Sequence, residues 1–457
     1  MQTYSDWQAH ARTIDTKSGA DGWKTTEISR RYDYKVIRRR YDELVEVNRA
    51  GDPERLLYYL DEGIHGNMGG MGAPNLYTRA AFGTKNLIAD YTEELVSALR
   101  QVEAIPADVI PDHEKRAFFR RASLGFGKTA LMLSGAGSLG PFHMGVVKEL
   151  VNQDILPRII SGASAGSLVA AVIGTRTATD LKTLLNSNEI QRTLSIGSDE
   201  TRRQMDVHDL HMYVERLIPD LTFLEAFELS GVHINISVAP REVQQRSRLL
   251  NATTSPNAMI REAIYASCAI PGVFPAVTLA AKSRTGKRQN YISSRKWVDG
   301  SMTDDLPAKR LARLYGANHF ISSQANPLVL WAIPDTHKES NLLGKLADIY
   351  QSATREWLKA IYPLTMQVVG KSHPLNLMTR MCFEVLTQDY TADINILPAQ
   401  KIYRPGIMLA TLSTAETAAL IKEGEKSTWP QVERIRICTA VNRCLDDILL
   451  NLGDDGS

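Results

Sequence analysis

Between residue 126 and about residue 330, short apolar runs alternate with stretches of helical spacing. The runs near 129–134, 157–161, 232–239, 294–298 and 318–323 read as strands, each too short and too evenly apolar to be half of an amphipathic helix. Strands separated by helices cannot close as tight hairpins, so this region is expected to be an α/β unit with a mainly parallel central sheet flanked by helices. Ahead of it, from Trp23 to about Arg121, the spacing is mostly helical: Tyr34, Ile37, Tyr41, Leu44 and Val45 mark one face, while Arg30, Arg31, Lys35, Arg38, Arg39 and Arg40 crowd the rest. The glycine-rich stretch Gly63 to Gly72 is expected to be a loop packed against the α/β unit. After Pro334 the alternation stops. Leu342, Leu343, Leu346, Ile349, Tyr350, Ala353, Trp357, Leu358 and Ile361 recur at helical spacing, Pro363 to Met381 is apolar and proline-interrupted, and residues 400–452 read as packed helices. Three segments follow: a helical N-terminal domain over 1–125, the α/β domain over 126–335, and a mainly helical C-terminal extension over 336–457. A packing helix is the favoured reading of 342–361, with a lid or lipid-facing groove as the alternative.

Composition narrows the class. The chain has 457 residues, 44% of them hydrophobic, and 53 basic against 51 acidic residues give a net charge of +2, which provides no case for bulk binding of nucleic acid. The basic stretch from Arg30 to Arg40 is read as a solvated face ahead of contact with anionic phospholipid. Met1 to Asp15 lacks a charged-then-apolar leader and no apolar run approaches the length that crosses a bilayer, so cytoplasmic residence is expected. Cys268, Cys382, Cys438 and Cys444 have neither metal nor redox spacing. Neither a metal nor a cofactor is expected.

The chemistry-bearing pattern begins at Ser161-Gly162-Ala163-Ser164-Ala165-Gly166, where Ser164 lies in G-x-S-x-G between the apolar run Ile155 to Ile160 and the helix-forming stretch Ser167 to Ile173. Gly162 and Gly166 permit a sharp strand-to-helix turn that lifts the serine hydroxyl clear of the sheet. Upstream, the strand ending at Ser134 runs into Gly135-Ala136-Gly137-Ser138-Leu139-Gly140. That loop fits a dinucleotide fingerprint, but the acidic residue this needs about 20 positions on is absent at a strand end, Asp154 preceding its strand. It also fits an oxyanion loop, and the serine turn that follows favours that use. Gly127-Lys128-Thr129 fails as a phosphate loop, since its first glycine would fall at Ala122. His208, His211, His233 and His319 follow Ser164, yet none has the context of a base. Trp297-Val298-Asp299-Gly300-Ser301 is more pointed, an apolar strand end followed by Asp-Gly.

Glycine loop, serine turn and later Asp-Gly, in this order, resemble the patatin-like acyl hydrolases. Ala266-Ser267-Cys268-Ala269-Ile270-Pro271-Gly272-Val273-Phe274-Pro275 is similar to that family's A-S-x-A-x-P-G-x-F-P stretch. Gly63-Ile64-His65-Gly66-Asn67-Met68-Gly69, Tyr77, Gly83-Thr84-Lys85, Phe142-His143, Asn318-His319-Phe320-Ile321 and Asn326-Pro327 resemble the branch of triacylglycerol lipases of fungal and plant lipid droplets and their bacterial relatives. The resemblance covers roughly residues 25 to 440. It implies a three-layer patatin-like fold, a Ser164–Asp299 dyad that makes and breaks an acyl-enzyme, oxyanion donors at Gly135, Ala136 and Gly137, a lipid ester substrate, and a membrane or lipid-droplet surface as the place of action. Triacylglycerol is the implied substrate, with phospholipid beside it; a lysophospholipid transacylase using the same serine and an inactive lipid-binding relative are the alternatives. Ala136 departs from the family's usual glycine, and a positive φ there would cost of order 1 kcal/mol. Asp304 and Asp305 are near enough in sequence to raise the pKa of Asp299, but capping the helix over Leu306 to Leu314 is the favoured reading. His10 to Asp15, the one match to an acyltransferase H-x-x-x-x-D motif, is taken as chance.

Overall fold

The computed structural model describes residues 1–196, 203–242, 245–292, 294–327, 329–330, 392–399 and 409–453. Nine strands occur among them: β1 (Lys128–Leu133), β2 (Ile159–Gly162), β3 (His233–Pro240), β4 (Arg248–Leu250), β5 (Ala280–Lys282), β6 (Arg288–Asn290), β7 (Trp297–Asp299), β8 (Ala317–Ser323) and β9 (Ile394–Ile396). Seven form one sheet in the order β4-β3-β2-β1-β8-β9, with β7 also on β3; β5 and β6 are a separate antiparallel pair. The five strands from β3 to β9 in that order run parallel, and only β4 and β7 lie antiparallel in this sheet, both against β3.

Both faces of the sheet are buried, and β1 shows how. Leu131 and Leu133 enter the larger core with the helices Gly140–Asn152 and Ala165–Gly174, while Ala130 and Met132 point into a smaller one closed by Leu306, Leu311 and Ala317. A strand covered on both sides needs no polar alternation, which is why these strands appear in the sequence as plain apolar runs.

Before the sheet, the helices Tyr34–Ala50, Asn86–Ala104 and Asp112–Phe126 build a third core around Ile37, Leu44, Ile88, Leu99 and Phe118. The basic face of Tyr34–Ala50 is partly occupied: Arg38 is ion-paired with Glu27 and Asp42, and Arg40 lies over the Tyr59 ring, while Lys35, Arg39 and Arg49 are exposed. The Gly63 to Gly72 loop runs along the end of helix Asp112–Phe126, and a Cβ on Gly66 would meet the Phe126 carbonyl oxygen at 2.6 Å.

The chain beyond residue 392 is woven into both parts. β9 extends the sheet beside β8, within the extension expected to be mainly helical; its three residues are too few to show a period. Helix Thr414–Thr428 crosses Gly140–Asn152 at touching backbones: a Cβ on Gly145 would lie 1.8 Å from Ile421 O, and one on Gly424 2.1 Å from Phe142 O. Helix Val432–Asn451 gives Val432 and Ile435 to the core of the sheet and Val441, Cys444, Leu445 and Ile448 to the N-terminal core. The packing helix expected over residues 342–361, its alternative of a lid or lipid-facing groove, and the stretch Pro363 to Met381 lie outside the described residues. Among the described residues no helix is long and apolar enough to cross a membrane.

Candidate active site

Ser164 stands between β2 and helix Ala165–Gly174 at φ 50°, ψ −123°, a conformation in the positive-φ region that side chains avoid and that costs about 1–3 kcal/mol. The two glycines of G-x-S-x-G are required by close approach. A Cβ on Gly162 would sit 2.2 Å from Gly166 O, and one on Gly166 would sit 2.3 Å from Leu133 O. The turn is thus pressed onto the end of β1, and the strained serine is held from behind as its N–H donates to Ser267 Oγ at 2.9 Å, while Ser267 Oγ donates to Ser237 O at 2.8 Å.

The same short segment fixes the aspartate. Asp299 ends β7, opposite Val238 of β3, and its N–H donates to Ala269 O at 3.1 Å. Gly300 follows because a Cβ there would lie 2.3 Å from Ser237 C and O. Asp299 is 2% exposed, its carboxylate accepts from the Ser301 N–H at 2.8 Å, and the nearby Ser164 hydroxyl favours its charged form. Burial disfavours its charged form and pushes its pKa up to about 6, with the Ser301 and Ser164 bonds opposing. The residues brought together at Ser164 are therefore Asp299, Ser267 and Cys268, whose thiol is in reach of the Ser164 and Ser167 hydroxyls and is pushed up to about 12 by burial. Among the described residues no histidine bonds to Ser164. His211 stacks on Tyr265, His233 packs between Phe227 and Tyr315, and His319 meets Thr129 Oγ1 at 3.2 Å.

The glycine loop differs from expectation at two positions. Ala136 has φ −141°, ordinary for any residue, so it carries no left-handed penalty; the positive φ falls on Gly137, at 52°. Gly135, expected among the oxyanion donors, already donates its N–H to Asp305 Oδ1 at 2.6 Å. Of the three amides expected as oxyanion donors, that of Gly135 is therefore engaged elsewhere. Asp305 is correspondingly not the N-cap of the following helix: Ala308–Tyr315 starts after Pro307, and Asp305 is 1% exposed, also accepting from Asn326 Nδ2 at 3.3 Å. Burial pushes its pKa up to about 7, with the charge of Asp299 adding to the rise. Asp304 instead pairs with Arg310 at 3.0 Å. Sequence spacing hid the role of Asp305, since its partner lies 170 residues earlier.

Two further side chains brace the loop. His143 is fully buried, its Nδ1 2.7 Å from Ser323 Oγ and its Nε2 3.1 Å from Ser134 O, and burial lowers it to about 4, so it is neutral. Ser134 Oγ accepts from the Ala325 N–H at 2.9 Å. Asp15, of the H-x-x-x-x-D match, is a structural anchor that pairs with Lys24 and accepts from the Ala81 and Phe82 amides.

In front of Ser164 opens a cavity whose walls are almost wholly apolar, among them Met144, Leu168, Leu194, Leu210, Phe274 and Leu412. Its far wall comes from 409–412, held to residues 203–205 by the Met205 N–H to Leu409 O bond at 2.7 Å and the Thr411 N–H to Arg203 O bond at 2.8 Å. A polar reaction centre at the mouth of an apolar slot suits an ester of a long hydrocarbon acid.

Comparison with known proteins agrees in kind. Residues 131–312 match a family model described as patatin-like phospholipase, and residues 1–124 match one described as a domain of unknown function (DUF3336). The chain is 30% identical to triacylglycerol lipase 4 of Saccharomyces cerevisiae over 98% of this chain and 51% of that protein, and 30% identical to triacylglycerol lipase ptl2 of Schizosaccharomyces pombe over 97% and 73%. It is 28% identical to triacylglycerol lipase 5 of S. cerevisiae over 98% and 63%. It thus spans from about half to about three quarters of the length of these relatives.

Proposed function

This chain belongs to the patatin-like lipases, and from that premise we propose that it is a serine hydrolase of lipid esters, acting on triacylglycerol through a Ser164–Asp299 dyad. The observation that carries the reading is the strained Ser164, in reach of a buried carboxylate whose pKa of about 6 leaves it ionised yet basic at neutral pH, at the mouth of an apolar cavity. Asp299 takes the Ser164 proton as the oxygen attacks the ester carbonyl, and the Ala136 and Gly137 amides receive the developing oxyanion. Asp299 returns the proton to the departing alcohol, leaving an acyl-enzyme; it then takes a proton from water, whose attack releases the fatty acid and restores Ser164. The near absence of polar lining in the cavity and the names of the relatives support a neutral acylglycerol over a charged headgroup. Such a substrate is met at a lipid-droplet or membrane surface, where the enzyme would work. Because φ at Ala136 is negative, the departure from glycine gives no support to an inactive relative.

The test is hydrolysis of triolein and of a p-nitrophenyl ester by the wild type, Ser164→Ala and Asp299→Asn, each checked for folding. Turnover of both substrates by the wild type and a loss of at least about 10³-fold in either variant is expected, as for removal of a nucleophile or its base. Equal rates in all three proteins would sink the reading.

A further inference from the structure

The mechanism above uses Asp299 and two loop amides, and leaves unexplained a second buried carboxylate set between them. Asp305 Oδ1 receives the Gly135 N–H at 2.6 Å, and Oδ2 receives Asn326 Nδ2 at 3.3 Å with Gln324 alongside. Gly135 is packed against Ser301 as well, where an added Cβ would lie 3.1 Å from the Ser301 Cβ. Ser301 in turn donates to Asp299. A continuous set of contacts therefore joins the base, through Ser301, to the first residue of the loop and to Asp305.

A solvent-shielded carboxylate is expensive for a fold unless its charge or geometry is used, and a neutral side chain of the same shape could fill this space more cheaply. Here the geometry is directed. By fixing the Gly135 amide, the carboxylate prevents it from turning into the site and sets the path of the chain into Ala136 and Gly137, the next two donors. The ionisable groups around it are few: Asp299 is the charge that acts on it, and Asp304, the adjacent acid, is tied up by Arg310. The Cys268 thiol beside Asp299 is held protonated by burial.

Resting on the dyad reading, we infer that Asp305 is a positioning residue of the acyl-transfer site, which holds the oxyanion loop by the Gly135 amide. It touches no reacting atom. Its effect is made through the loop in the transition state.

Two variants test this hold on the loop. Asp305→Asn keeps shape and an acceptor for Gly135 but removes the charge; Asp305→Glu keeps the charge but displaces the loop. With a p-nitrophenyl ester, Asp305→Glu is expected to lower kcat on the order of 10-fold with KM nearly unchanged, a modest share of what the loss of a direct oxyanion donor costs. Its pH profile should keep the wild-type acidic limb. Asp305→Asn, which keeps the acceptor for Gly135, is expected to lose less kcat than Asp305→Glu and to keep the same limb, because Asp305 at about 7 is already protonated where Asp299 titrates at about 6. Wild-type kcat in Asp305→Glu, or a loss in a folded Asp305→Asn as large as in Asp305→Glu, overturns the inference, and Asp305→Glu decides it alone if Asp305→Asn does not fold. The dyad reading fails separately, by wild-type activity that survives Ser164→Ala.

Discussion

A carboxylate is a poor base at its ordinary pKa near 4, and the surroundings of Asp299 correct this by keeping water away from it. With a pKa of about 6, it must lose its proton before it can take one from Ser164. The kcat/KM of the wild type is therefore expected to fall tenfold per pH unit below about 6 and to level off above it, measurable by pH-stat titration of ester hydrolysis. Stability has the opposite sign. Both Asp299 and Asp305 are raised above their unfolded values, so each favours the fold at low pH, and that contribution is lost as pH rises through about 6 and about 7. Asp305→Asn removes one buried charge; its Tm is expected to exceed that of the wild type by a few degrees at pH 8 and to converge on it only below about pH 4, where the unfolded carboxyl is protonated too. A lower Tm at pH 8 would mean that the charge itself stabilises the loop.

At the scale of elements, the site is a junction of three turns pressed together at the carboxyl ends of β1, β2 and β7. Their glycines are structural necessities. Gly166→Ala places a methyl 2.3 Å from Leu133 O and 2.6 Å from Ser134 O, neither of which can yield without moving β1. A loss of about 3 kcal/mol in stability, read from chemical denaturation, is expected together with loss of activity. These turns were legible in the sequence because each is a local pattern of small residues around one reactive group, and the apolar runs marked β1, β2, β3, β7 and β8 near their observed positions. What escaped has a physical reason in each case. β4 and β9 have three residues apiece, too few to show a period. Asp305 looked like a helix cap since the residues it binds, Gly135 and Asn326, are brought near only by the fold. In the glycine loop, which amide is already engaged depended on that same distant carboxylate.

Across the whole molecule, the sheet and the N-terminal helices are joined by a strut. Helix Val432–Asn451 contributes to both cores, and Leu445 is fully buried in the N-terminal one. Leu445→Ala is expected to cost about 3 kcal/mol, as for other buried leucine truncations, with kcat of the remaining folded protein unchanged because the site is in the other core. The C-terminal chain also walls the cavity through Leu409, Ala410 and Leu412, in a stretch bonded to residues 203–205 some 200 positions earlier, so the apolar slot is completed by segments far apart in the chain. The central claim, that Ser164 is the nucleophile and Asp299 its base, is tested most directly by covalent capture. Wild type and Asp299→Asn are treated with an alkyl fluorophosphonate and the adduct is mapped by peptide mass spectrometry. The account predicts one phosphonylated residue, Ser164, formed at least about 100-fold more slowly in Asp299→Asn; an adduct on another residue, or equal rates in the two proteins, would contradict it.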